Sequence, residues 1–186
     1  MSDDPVIVES ENGPTICQMG YVVPPALGYF NKKTGLWTLH EDWVLETPTH
    51  IMRVKKGVDS DGKSIGWNGL WVITGPRFSP EDFEAVFPHD MAYKCQTVAR
   101  SLADKWLYDL TLVCGLVFGV DEIETRWGRV KARLRNARIR AKANVLYWGV
   151  RKCGWAPWQL YTRAEIEQYR LQITIEEKPI SSMVTI

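Results

Sequence analysis

Hydrophobic and polar positions divide the chain into stretches of different rhythm. The first forty or so residues are punctuated by Pro14, Pro24, Pro25, Gly28 and Gly35, and they predict an extended arm with turns. From Leu36 the rhythm is partial alternation, in Leu36-Trp37-Thr38-Leu39-His40 and again in His50-Ile51-Met52-Arg53-Val54, which suits strands with one buried face. Asp59-Ser60-Asp61-Gly62 then carries turn chemistry, with Gly62 free to take positive φ.

From Ser79 the period lengthens to that of a helix. Ser79 is placed to cap, Pro80 suits the first helical position, and Asp82 stands where a capping-box acid belongs. Pro88 has no N–H with which to continue the ladder, so this helix is expected to be short, with His89 and Asp90 beyond a break or kink. A second helix is predicted from about Val98 to Val117, with Leu102, Ala103, Trp106, Leu110 and Val113 on one apolar face and Asp104 and Asp109 flanking it. A third and longest helix is predicted to start near Asp121, whose carboxylate favours a helix N-terminus, and to end before Gly154. Its apolar stripe of Trp127, Val130, Leu134, Ala137, Ala141 and Val145 is expected to face the core or a partner. Thr162-Arg163-Ala164-Glu165 reads as a capping box opening a short helix to about Tyr169, Leu171 to Ile175 alternates as a late strand, and a tail follows from Lys178.

The pattern predicts an α+β fold: a small antiparallel sheet from the N-terminal half packed against two or three helices. Residues 1–35 would be the extended arm, 36–160 the core domain, and 161–186 a short helix, strand and tail. A length of 186 residues suits one such domain. Hydrophobic content of 45% against 24% charged residues excludes a chain disordered throughout.

Cysteine and charge narrow the classes further. Cys17, Cys95, Cys114 and Cys153 form no CxxC pair, which argues against a zinc knuckle or a thioredoxin-type motif. Cys114 sits in an apolar stretch and reads as a buried free thiol. Met1 is followed by acidic and polar residues rather than by the basic and then apolar run of a signal peptide. The apolar run around Cys114 is about half the ~20 residues that span a bilayer. The expected setting is a reducing cytoplasm, or a particle assembled there, with no membrane partner.

A formal charge of +1 provides no global field for nucleic acid or anionic lipid, so an electrostatic partner needs a local patch. One exists between residues 126 and 152: Arg126, Arg129, Lys131, Arg133, Arg135, Arg138, Arg140, Lys142, Arg151 and Lys152, with no acid among them. Cations this dense repel across helical turns. Nucleic-acid phosphates or an acidic neighbouring subunit would offset them, and so would a solvated face balanced by Asp121, Glu122 and Glu124. Trp148, Trp155 and Trp158 follow closely, and Trp with Arg is enriched where proteins meet. The candidate partner-binding set is therefore Arg126, Arg129, Arg133, Arg135, Arg138, Trp148, Trp155 and Trp158.

Four blocks between Val54 and Gly154 occur in a recognisable order. They are Ser60-Asp61-Gly62-Lys63-Ser64-Ile65-Gly66, His89-Asp90-Met91-Ala92-Tyr93, Ala103-Asp104, and Tyr147-Trp148-Gly149-Val150-Arg151-Lys152-Cys153-Gly154. In this order the chain resembles the phage-associated family known as domain of unknown function 1353. That family shows a TDGASIP-like turn, an HDxxY helix, an Asp in the next helix and a Y-x-x-VR-x-x-G close. Gly66 stands where the family pattern has proline, and Pro88 precedes the His-Asp pair. The resemblance implies a bacteriophage-encoded accessory or structural protein of a tail, neck or capsid. Its partners would be other phage structural proteins and its own copies, met first in the host cytoplasm and then in the virion.

The same blocks hold candidate chemistry. Asp61, His89, Asp90 and Asp104 are a set able to bind a divalent metal and activate water, as in a small metal-dependent hydrolase. Ser64 could orient a phosphate, or serve as a nucleophile with His89 as its base, and Tyr93 could donate a proton. A metal cofactor is implied under that reading alone. The competing reading is structural: Asp61 caps a turn, Ser64 holds a loop, and His89 pairs with Asp104 or Asp90 to tie two helices together. A helical phosphohydrolase pattern using His50 as first ligand is excluded by the extended character of its segment.

Overall fold

The computed structural model of the chain describes residues 6–10, 13–26, 28–31, 36–60 and 80–179. Nine strands occur among them. β1 (Val6–Ser10), β2 (Gly13–Gln18), β3 (Tyr21–Val23), β6 (Trp43–Glu46), β7 (His50–Val54) and β9 (Ile173–Glu177) form one antiparallel sheet in the order β1-β2-β3-β6-β7-β9. β4 (Gly28–Asn31), β5 (Leu36–Leu39) and β8 (Asp59–Ser60) form a smaller antiparallel sheet. Five helices follow: α1 (Pro80–Cys95), α2 (Arg100–Gly115), α3 (Arg126–Cys153), α4 (Trp155–Leu160) and α5 (Arg163–Arg170). The fold is α+β, as the hydrophobic pattern predicts. No helix among the described residues is long and apolar enough to cross a membrane.

Strand register explains why the larger sheet holds. Trp43 pairs with Val54 and Val54 with Ile173, while Leu45 pairs with Met52 and Met52 with Ile175. All six side chains are buried, giving two apolar rows across three strands on one face. Alternation with period two puts Val44, Arg53 and Thr174 on the opposite face. The buried Thr47 pins the β6–β7 hairpin, its hydroxyl donating to the His50 carbonyl at 3.1 Å and accepting from the His50 N–H at 2.8 Å. The described residues of the first 35 are not a separate arm: they contribute β1 to β3 to this sheet and β4 to the smaller one, with Tyr21 and Val23 in the core. Tyr21 anchors them to α2, with its hydroxyl donating to Asp109 Oδ2 at 2.6 Å. Pro24 adds a second tie, its carbonyl accepting from Trp43 Nε1 at 3.0 Å.

The first helix departs from expectation. α1 runs unbroken through Pro88 for 16 residues, and His89 and Asp90 lie within it. Proline inside a helix costs about 3 kcal/mol. Ala85, Val86, Phe87, Met91, Ala92, Tyr93 and Cys95 are all buried, and each large side chain among them contributes roughly 1.5–3 kcal/mol. Burial outweighs the missing hydrogen bond. Ser79, the expected cap, lies outside the described residues.

α2 matches its prediction closely, burying Ala103, Trp106, Leu110 and Val113. α3 starts later than predicted, because Asp121 belongs to a short 3-10 turn (Val120–Glu122) entered through Gly119 at φ 59°. Thr125 caps α3 instead, its hydroxyl accepting from the Gly128 N–H at 3.1 Å. Asn136 clamps α3 to the segment after α2 by a reciprocal pair with the Val117 backbone, at 2.8 and 2.7 Å. The capping box at Thr162 and Glu165 forms as predicted and opens α5.

Candidate functional site

The polar residues of the motif blocks fall into two separate networks. In the first, α1 presents His89 and Tyr93, four residues apart and so on one side of the helix, toward Asp104 of α2. The Tyr93 hydroxyl donates to Asp104 Oδ1 at 2.6 Å, and His89 Nε2 lies 3.3 Å from the same oxygen. Arg151 reaches in from α3, placing Nη1 3.2 Å from Oδ2. His89 and Asp104 are fully buried, and the His89 and Tyr93 rings pack with centroids 4.2 Å apart. One carboxylate thus joins three helices.

Burial alone would raise the Asp104 pKa, but hydrogen bonds from His89 and Tyr93, the His89 charge and the Arg151 contact outweigh it and hold the group below its ordinary value. Burial, followed by the hydrogen bond to Asp104 and its charge, raises the Tyr93 hydroxyl well above its usual range. At neutral pH Asp104 is therefore a fixed acceptor and Tyr93 a fixed donor, a poor arrangement for exchanging protons with a substrate. Since the carboxylate can only accept, His89 turns a protonated Nε2 toward it. His89 Nδ1 is buried with no partner among the described residues.

In the second network, Asp90 points elsewhere, one residue and about 100° further round α1. Its Oδ2 accepts from Ser60 of β8 at 2.6 Å and lies 3.3 Å from Lys94 Nζ. Lys94 also donates to the Asp59 carbonyl. This network ties α1 to the smaller sheet. Of the predicted set, the structure brings together His89, Tyr93 and Asp104, and separates Asp90 from them. Asp61 and Ser64 lie outside the described residues. Among the described residues, no three His, Cys, Asp or Glu side chains form a group that could hold a metal ion. His50 is in strand β7, as its alternation predicts, with its ring edge-on to Trp106.

Reading the sequence missed the role of Arg151, which counted as one cation among ten. The signal was its place in the last block, four residues after Tyr147 and three before Gly154. Gly154 shares this spot: a Cβ there would overlap the Val150 carbonyl and the Tyr93 hydroxyl. Residues from three of the four blocks therefore meet at one point in the helical core.

The long helix α3 carries the other candidate surface. Its predicted stripe does not face the core, since Trp127 is 73% exposed, Leu134 62% and Trp148, which extends it, 58%. The inward face is a second stripe of Ala132, Asn136, Ile139, Ala143, Leu146 and Val150, with the same threes-and-fours spacing and centred on the opposite side. Several of the nominated cations are engaged within the chain. Arg129 donates to the Ile123 and Glu124 carbonyls at 2.6 and 3.3 Å, Arg133 pairs with Asp121 at 2.7 Å, and Arg135 Nε donates to the Gly115 carbonyl at 3.3 Å. Arg126, Arg138 and Trp155 are exposed. Trp158 packs partly buried on the core, edge-on to Tyr93 at 4.9 Å, and belongs to the fold rather than to an outer surface.

No family model matches the chain, and no curated protein or solved structure matches it either.

Proposed function

We propose that this chain is a bacteriophage-encoded accessory structural protein that docks onto other proteins of a tail, neck or capsid. The observation that carries this reading is the outer face of α3, where large apolar side chains stand in solvent between cations. Exposed apolar residues that cluster, as Trp127, Val130 and Leu134 do, mark interaction surfaces. The phage setting comes from the motif resemblance. The buried state of the His89–Asp104 pair supports a scaffold role, because a metal-dependent hydrolase needs its ligands to converge around an open coordination position.

Quantitative mass spectrometry of purified particles of the encoding phage tests the reading. The chain is expected at a fixed copy number per particle; presence in the soluble lysate alone would overturn it. Elemental analysis of the purified chain, set beside a folded variant carrying Asp61→Ala and His89→Ala, tests the hydrolase alternative. A stoichiometric metal lost in that variant would reinstate it.

A further inference from the structure

We propose that the outer face of α3 is a docking seam for an acidic amphipathic helix of another protein. This rests on the protein-docking role proposed above and names its partner's chemistry.

The seam runs through Trp127, Val130, Leu134, Ala137, Ala141 and Trp148, separated by three, four, three, four and seven residues, with the exposed Asn144 at the intervening heptad position. That is the repeat with which one helix meets another along its length. From Trp127 to Trp148 the seam extends about 32 Å along α3. Its other apolar stripe packs inward, which leaves α3 with two opposite seams, and the described residues cover only one of them. The outer seam has a waist: small Ala137 and Ala141 lie between the bulky Trp127 and Leu134 at one end and Trp148 at the other. The small side chains at Ala137 and Ala141 let the backbone of a second helix approach closely there.

Charge selects the partner. Arg126, Arg133 and Arg140 flank the seam on one side and Lys131 and Arg138 on the other, and no acid occurs anywhere in α3. A second copy of the same helix would set cations against cations in either orientation, and like charges at flanking positions disfavour pairing. A helix with Asp or Glu at those positions would neutralise both rows. Duplex nucleic acid would meet the cations but leave the tryptophans and Leu134 in water. It would also compete for Arg129 and Arg135, which already donate to backbone carbonyls of neighbouring segments.

The test is selection, on the full chain, from a display library of 28-residue helices with Leu at the core heptad positions and an equal mixture of Glu and Lys at the flanking ones. Wild-type chain is expected to enrich Glu-flanked over Lys-flanked sequences at least about tenfold. A variant carrying Trp127→Ser, Leu134→Ser and Trp148→Ser keeps every cation and is expected to lose the enrichment with its circular dichroism unchanged. Should that variant not fold, Leu134→Glu alone carries the same comparison. Enrichment that survives in the variant would show the cations acting without the seam and overturn the proposal. Wild-type self-association in sedimentation, or binding to duplex DNA or anionic vesicles, lost in the variant and unaccompanied by Glu enrichment, would replace the occupant and overturn it too. Particle incorporation, scored in parallel, separates the two readings: a variant that still enters particles leaves the structural role standing and removes only the seam.

Discussion

The knot around Asp104 and the outer face of α3 are inversions of each other. In the knot, polar groups are buried and held by hydrogen bonds; on the outer face, apolar groups are exposed and nothing described covers them. The first arrangement is stable only if its members stay together, since an unpaired polar group in the core is costly. The second costs the isolated fold little and gains from whatever removes it from water. Position relative to solvent, rather than residue type, thus separates what holds this molecule together from what it can offer to another.

Four substitutions and one titration would break or sharpen that contrast. Asp104→Ala leaves His89 and Tyr93 buried without their acceptor and frees Arg151. It is expected to cost about 3–5 kcal/mol in urea unfolding, or to prevent folding. Gly154→Ala forces a methyl group against the Tyr93 hydroxyl and the Val150 carbonyl, and a loss of about 1–3 kcal/mol is expected in the same assay. Tyr93→Phe removes one donor to a charged acceptor while keeping the ring packing, for about 1.5 kcal/mol. Leu134→Ser, on the outer face, should fall within about 0.5 kcal/mol of wild type. A loss there as large as that of Asp104→Ala would mean the face is structural and the contrast false.

Titration reads the knot from both ends of the pH scale. The folded pKa of Asp104 lies below its unfolded value. Its contribution is therefore fully present above the unfolded carboxylate pKa of about 4 and is lost as pH falls through the lowered folded value. The folded pKa of Tyr93 is raised, so its contribution is fully present below about 10 and is lost as pH rises beyond that. Urea midpoints measured across pH should decline at both extremes. Asp104→Asn is expected to flatten the acid limb, and an acid limb identical to wild type would contradict the assigned role.

How much of this was legible in the sequence depends on the range of the interaction. The α+β class, α2 and the Thr162 capping box follow from local spacing and were readable. Pro88 was misread because the local rule sees the missing N–H but not the burial of Phe87 and Met91 that outweighs it. The stripe on α3 was found but its direction was left open, because spacing defines a face without saying what lies opposite. The true inward face was disguised by Ala132, Ala143 and the polar Asn136. The His89–Asp104 pairing was anticipated as one of two possibilities, whereas the reach of Arg151 across 47 positions was marked only by its place in the last motif block.

The place of β9 bears on how the chain comes to be assembled as it is made. Its pairing with β7 joins residues about 120 positions apart, with all five helices between them. Until Ile173 to Glu177 have left the ribosome, β7 lacks a neighbour on that side, and the apolar rows ending at Ile173 and Ile175 are incomplete. Sheet closure is then a late event with high contact order, during which the edge of β7 is open to other chains. Synthesis that stalls within α5 would yield a product prone to aggregation, not a shortened protein.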